Sequence, residues 1–517
     1  MNRVCRAETV ALTGLTGTRV TVEAAISQQL PGIAIIGLPD TSLAEAKMRV
    51  RVATTQAGAA LSDRFITVNL SPASIPKHGS GFDLAIAVAA LAASGKLPAE
   101  SLHGTAYIGE LGLDGSLRRP KGLLSAVIEA ARLGFTRVMV PACAVTEAVL
   151  VPEVTVISAA TLKQIVAWHR GDPNDCRAYT AADAQFLAAQ QPAAHQPSPV
   201  DMAEVIGQAE AVEALTVAAA GRHNVSMIGP PGAGKTLLAR RLPTILPDLS
   251  TAESLEASSI ASLGGAQIDS LMTRPPFEAP HHTASQVAII GGGVSNSVSV
   301  GAVTRACHGV LFLDEAPEFS PAVLDALRQP LESGSVEIHR SRMHVTLPAN
   351  IQLVLAANPC PCGNAGAIET EQRCSCAPAK RQRYLSRISG PLRDRIDIRM
   401  QIPRVSHAVA MQAHTSPKTS RHIRQRVEAA REAARDRLRD TAWFTNSDVS
   451  GRWLRRQRLS PKATCVIDRA LELGQITLRG YDRILRVAWS FADLAGCTSP
   501  GRDHIASALE LRQGLTP

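Results

Sequence analysis

Residues Asn224-Val-Ser-Met-Ile228 run directly into Gly229-Pro230-Pro231-Gly232-Ala233-Gly234-Lys235-Thr236-Leu237. The first five read as a short strand, and the residues after the glycines read as the start of a helix. A G-x-x-x-x-G-K-[ST] pattern between a strand and a helix is a phosphate loop. Its glycines let backbone N–H groups turn inward around phosphate oxygens, and the helix N-terminus adds partial positive charge. Lys235 is expected to reach the β- and γ-phosphates of ATP. Thr236 is expected to ligate Mg²⁺.

Two later strands complete the expectation. Val310-Leu-Phe-Leu-Asp-Glu315 is an apolar run ending in two carboxylates. Asp314 is placed to hold Mg²⁺, and Glu315 to activate the attacking water, so the pair implies hydrolysis rather than binding alone. The third strand ends in Ala356-Ala-Asn358, where an amide could hydrogen-bond the γ-phosphate or the water. Working outward, a helix is expected over 208–220 and strands over 309–313, 351–356 and 396–402. This strand–loop–helix alternation is that of a mostly parallel sheet with helices on both faces. Helices alone are expected after about residue 416. Residues 1 to about 175 mix short apolar runs with Ala-rich helical stretches, an α/β texture: strands over 64–70 and 137–141, a helix over 83–93. The Ala-, Gln- and Pro-rich stretch 177–200 reads as a linker.

The 517 residues carry 54 Lys plus Arg and 45 Asp plus Glu, a net charge of +9. Residues 417–517 alone hold 19 basic and 11 acidic residues, and 373–404 hold 9 and 2. The remainder is therefore acidic on balance, and the basic excess points to polyanionic partners. The segment 1–20 has no signal-peptide core, and the longest apolar run, Leu84–Ala93, is too short to span a bilayer. A cytoplasmic, reducing setting with no membrane partner is the expectation.

GPPGAGKT, LFLDE, AANPCPCG and SRISGPLRDRID, in this order and spacing, resemble the AAA+ ATPases of the magnesium-chelatase-like group, and most specifically the ComM/YifB family. Ala279-Pro-His-His-Thr283 with Ile290-Gly-Gly-Gly293 is similar to the family's insert. The resemblance implies an α/β fold in three parts. Residues 1–176 would form a Lon-protease-like (S5 domain 2-like) domain, 201–415 the ATPase core with a Cys-rich loop, and 416–517 a helical lid. It also implies a homohexameric ring using ATP and Mg²⁺. Arg395 matches the position of the arginine finger that reaches a neighbouring subunit, with Arg387 and Arg483 as alternatives. Arg479 resembles the second sensor. By the same alignment the Lon serine falls on Gly81 and its lysine on Leu124, although Ser80 and Lys121 lie near. A Ser–Lys dyad is then missing and the domain is not proteolytic.

Cys360, Cys362, Cys374 and Cys376 place four thiols in one short loop, as candidate ligands of structural Zn²⁺; reactive or redox-switch thiols are the alternative. The six scattered cysteines suit core packing. His281 and His282 suit positioning of the insert's backbone better than a metal pair. Val336–Leu347 reads as a hairpin with Arg340 and Arg342 at its tip, either solvated or gripping a threaded strand. The main functional expectation is a DNA branch-migration helicase acting on branched or single-stranded DNA. A chelatase-type remodeller of a protein partner is the alternative, and an ATP-dependent protease is a third reading against which the missing dyad argues.

Overall fold

The computed structural model describes residues 4–27, 29–37, 40–61, 64–73, 81–172, 175–189, 200–294, 297–340, 343–365, 374–405, 418–457 and 459–514. Two sheets organise the chain. The N-terminal sheet has eight strands, in the spatial order Arg177–Tyr179, Thr155–Ala159, Arg137–Pro141, Thr105–Tyr107, Cys5–Thr13, Thr16–Ser27, Phe65–Ser71, Gly32–Ile36. Its first hairpin pairs antiparallel from Cys5↔Ala24 to Thr13↔Thr16. Across it packs the helix Asp83–Ala93, every residue of which is buried. A helix apolar on all sides has to be a core element.

The expected strand over 137–141 and the expected helix over 83–93 form with those bounds. The expected linker differs. Arg177–Tyr179 pairs antiparallel with Val156–Ser158, and Leu187 is buried in the N-terminal core. Backbone pairing to the free sheet edge outweighs a composition that favours no structure, so 177–189 belong to the first module. Residues 190–199 lie outside the described residues.

The second sheet is five-stranded and wholly parallel. Its order is Phe277–Glu278, Val310–Leu313, Gln352–Ala357, Val225–Ile228, Ile398–Gln401. Val310–Leu313 and Gln352–Ala357 are buried at every residue, because a parallel sheet is covered on both faces. The phosphate-loop strand lies between the third-strand amide's strand and the last strand. Its C-terminal end therefore opens into a crevice flanked by later strand ends, where α/β sheets bind ligands.

The C-terminal helices Ser420–Leu438, Pro461–Glu472, Leu478–Leu494 and Arg502–Gln513 pack back on this core. Met202, Leu215, Leu238, Ile423, Ile484 and Ile505 share one apolar cluster. Part of the charge on these helices is used inside the chain. Arg426 pairs with Glu213, Arg437 with Asp493 and Arg455 with Asp482, while Arg431 donates to the Ala219 carbonyl.

A buried carboxylate sits where the modules meet. Glu147 accepts from Arg119 Nε (2.5 Å) and Nη2 (3.0 Å), from Leu124 N (3.2 Å), and from Ser262 Oγ (2.5 Å) on the core helix Thr251–Leu263. The position aligned with the Lon lysine, Leu124, is fully buried at this seam. Gly81 is described; Ser80 lies outside the described residues. Of the scattered cysteines, Cys5, Cys176 and Cys307 are buried, but Cys143, Cys465 and Cys497 are exposed, contrary to the core-packing expectation. No helix among the described residues is long and apolar enough to cross a membrane.

Candidate active site

Gly232 (φ +77°) and Gly234 (φ +89°) take left-handed backbone at the phosphate loop, which a side chain would strain. The helix Lys235–Ile245 starts at once, with its free N–H groups facing the crevice. A cavity of about 450 Å³ is lined by Pro231–Leu237 together with Asp314, Glu315 and Asn358. Three strand ends separated by up to 123 positions thus converge, as Lys235 Nζ and Asn358 Oδ1 lie 3.1 Å apart.

Within the cavity, Lys235 Nζ donates to the Gly229 carbonyl (2.6 Å), the Pro230 carbonyl (3.0 Å) and Asn358 Oδ1. Burial draws the Lys235 ammonium below its usual pKa, against the pull of Asp314 and Glu315. Thr236 Oγ1 donates to Asp314 Oδ2 at 2.7 Å, which sets a hydroxyl and a carboxylate side by side as oxygen ligands. Asp314 Oδ1 accepts from Glu315 N at 3.0 Å. Glu315 itself sits at φ +51°, a left-handed conformation rare for a non-glycine residue and concentrated at functional sites.

Three supporting residues escape sequence reasoning. Gln208 Nε2 donates to the Ala233 carbonyl (2.6 Å) and the Pro403 carbonyl (3.3 Å), bracing the loop from below. Arg404 Nε donates to the Pro231 carbonyl at 3.2 Å. His282 Nδ1 stands 3.5 Å from Glu315 Oε2, with its ring edge-on to Phe319. The insert histidine therefore faces the acidic pair, a role the backbone-positioning expectation does not include. The short strand Phe277–Glu278 beside Val310–Leu313 brings it there, a pairing invisible in local pattern.

The predicted arginines lie elsewhere. Arg395 is buried and paired with Glu332, and its Nη1 donates to the Pro391 carbonyl. It lines a second cavity, of about 500 Å³, with Arg222, Asn224, Asp397, Arg483 and Arg486. Asn224 and Asp397 immediately precede their strands or stand one residue before them, so this cavity is at the opposite end of the sheet from the phosphate loop. Arg483 pairs with Asp397 and donates to the Arg395 carbonyl at 3.3 Å. Arg395 Nε and Arg222 Nη2 are buried without a hydrogen-bond partner among the described residues. Arg387 is half exposed and donates to the Pro317 carbonyl (3.1 Å) and Glu318 (3.3 Å). Arg479 is exposed at the start of its helix and lines neither cavity.

The four loop cysteines come together with all ligand atoms within 4.8 Å, a geometry able to hold a metal ion. The hairpin forms as Ser335–Arg340 and Met343–Pro348; the Arg340 side chain and Arg342 lie outside the described residues.

Comparison with known proteins gives matches along most of the chain. The family described as Magnesium chelatase, subunit ChlI matches residues 201–410. Subunit ChlI of Mg-chelatase matches 22–144, and the ChlI C-terminal family matches 417–512. An uncharacterized protein of Mycobacterium tuberculosis is 47% identical over 511 residues, covering 98% of each chain. YifB of Escherichia coli is 37% identical over 508 residues, 98% of this chain and 96% of that one. Competence protein ComM of Haemophilus influenzae is 36% identical over 504 residues, 96% and 95%.

Proposed function

Since the chain belongs to the magnesium-chelatase-like family that includes YifB and ComM, we propose that it is an ATP-hydrolysing AAA+ motor, working as a cytoplasmic homohexamer that drives branch migration of DNA. The observation that carries the ATPase half is the convergence of Lys235, Thr236, Asp314, Glu315 and Asn358 on one cavity. The residues fit Mg²⁺, which Thr236 and Asp314 would hold and which would offset phosphate charge. Loop N–H groups and Lys235 bind the phosphates. Glu315 takes a proton from the attacking water, and Asn358 orients that water against the γ-phosphate. Arg395, across a subunit interface, is assigned to the terminal phosphate of a neighbour's nucleotide, with Arg479 as the second sensor. The four cysteines fit Zn²⁺ as a structural ion.

The DNA half rests on the likeness to a protein named for competence and on lid cations outside the internal pairs. Arg452, Arg456, Lys462 and Arg469 are exposed and have no side-chain partner among the described residues. The second reading, a chelatase-type remodeller of a protein partner, is favoured by the ChlI descriptions of all three matched segments.

Two measurements test this. Glu315→Gln is expected to bind ATP within about twofold of wild type and to hydrolyse it about 10²–10³-fold more slowly; wild-type turnover overturns the base assignment. Forked DNA is expected to stimulate the ATPase and to bind with an affinity that falls steeply with salt. Absence of both effects overturns the DNA half and favours the remodeller.

A further inference from the structure

The cysteine loop follows the Asn358 strand end and returns to the core through the helix Pro378–Leu385. Cys360 Sγ lies 3.3 Å from Cys362 Sγ and 3.7 Å from Cys374 Sγ, and Cys362 lies 3.5 Å from Cys374. Cys376 completes the group within the same 4.8 Å. Four thiolates at about 2.3 Å from a tetrahedral zinc ion stand about 3.8 Å apart. A disulfide needs about 2.05 Å, and all four cysteines are free. The spacing is therefore that of a metal site. Among the described residues the local apolar cluster is Cys360, Ala365 and Cys376 with Cys374 against it. So small a cluster offsets little of the entropy of ordering these residues, whereas metal ligation offsets more.

The loop touches the phosphate site. Gly363 N closes a turn on the Cys360 carbonyl at 2.9 Å, with φ +78°. A Cβ on Gly363 would stand 2.5 Å from Pro231 Cδ and 2.6 Å from Cγ, so the turn's backbone lies directly on the phosphate loop. Beyond the last cysteine, Arg381 Nε holds the Cys376 carbonyl at 3.0 Å. The helix that follows leads to Arg387, which grips the segment just after Glu315. Ordering these cysteines thus bears on the Pro231 side of the cavity and, through Arg387, on the segment that follows Glu315.

We propose that Cys360, Cys362, Cys374 and Cys376 bind one zinc ion, each ligating thiol releasing its proton to solvent, and that this ion holds the Gly363 turn against Pro231 so that zinc occupancy controls nucleotide affinity. The proposal rests on the zinc and nucleotide readings above and adds their coupling. Coupling of this kind is reciprocal, so bound ADP must also raise the affinity for zinc by the same factor.

The test uses the full chain purified under reducing conditions. Elemental analysis is expected to give one zinc per chain, and cobalt substitution the visible bands of a tetrahedral thiolate site. Removing zinc with a mercurial, then the mercurial with excess thiol, is expected to weaken fluorescent-ADP binding about tenfold, with recovery on zinc addition. Gly363→Ala, which keeps all four thiols, is expected to retain zinc yet bind ADP several-fold more weakly. No zinc and no cobalt bands overturn the metal site. Stoichiometric zinc with ADP affinity unchanged on its removal and in Gly363→Ala overturns the coupling alone. Zinc-loaded wild type that fails to bind ADP overturns the nucleotide reading instead.

Discussion

The two ends of the five-stranded sheet face the same chemical problem with opposite solutions. At the C-terminal end, the backbone N–H groups and one lysine of seven consecutive residues, Pro231–Leu237, line a cavity built to take phosphate in the reading proposed above. At the N-terminal end, four arginines drawn from positions 222 to 486 line a cavity and are balanced by Glu332, Asp397 and Asp448. Contiguous loops present donors cheaply because sequence neighbours need no tertiary contact to meet. Converging arginines must be neutralised first, and Arg395 and Arg483 spend their charge on Glu332 and Asp397. A charged group buried without such a partner costs several kcal/mol. The comparison teaches that part of the basic content of the last third of the chain is structural.

The sharpest way to break the comparison is Arg395→Ala. If Arg395 also serves a neighbouring subunit's nucleotide, steady-state ATP turnover is expected to fall about 10³-fold with ADP affinity within about twofold. Mixing that variant with Lys235→Ala is then expected to recover part of the activity. A parallel loss of ADP affinity and of the urea midpoint would make Arg395 an internal strut instead.

Asp397→Asn sharpens the strut reading. Asp397 is buried, accepts from Asn224 N at 3.1 Å and pairs with Arg483. Burial alone would raise its pKa, but the Arg483 charge and the neighbouring His223 outweigh that and hold the carboxyl well below the usual carboxylate range. A depressed acid pKa contributes stability above the unfolded value of about 3.9 and loses it as pH falls below that value. Urea unfolding is expected to show the variant destabilised by about 3 kcal/mol near pH 7. The gap is expected to narrow in acid; a gap independent of pH would show that charge is not its cause.

The smallest expected effect is that of His308→Gln on the same edge. His308 (φ +61°) bonds Glu256 at 2.5 Å and stands 3.6 Å from Glu253. Burial opposes its charged form, but the adjacent Cys307 sulfur and the hydrogen-bonded Glu256 carboxylate prevail and raise its pKa to about 10. A raised histidine pKa gives stability that is complete below about pH 6.5 and is lost as pH climbs toward the folded value. The variant is expected to lose about 1 kcal/mol at pH 6, and less at pH 9, by urea unfolding. An equal loss at both pH values would overturn the charged pair.

Legibility followed contiguity. The helix over 83–93 and four of the five strands of the parallel sheet are readable because apolar runs have few alternatives, whereas the two-residue strand Phe277–Glu278 is not. Arg177–Tyr179 was not, since a three-residue edge strand has no period and exists only because Thr155–Ala159 offers free backbone groups. In sequence His282 has only His281 beside it, and its partner in the fold is a carboxylate 33 residues away, Glu315.

By itself, then, the sequence determined the phosphate loop, the acidic pair, the Asn358 strand end and the four-cysteine loop, because each is a local pattern whose chemistry follows from residue type and spacing. Only the tertiary structure decided which charges are free. Arginines of the C-terminal helices that look alike in sequence divide into internal partners such as Arg431, Arg437 and Arg483 and exposed cations such as Arg452 and Arg469. The physical reason is that an arginine's role depends on what carboxylate or carbonyl the fold brings within reach, and burial makes that partner obligatory.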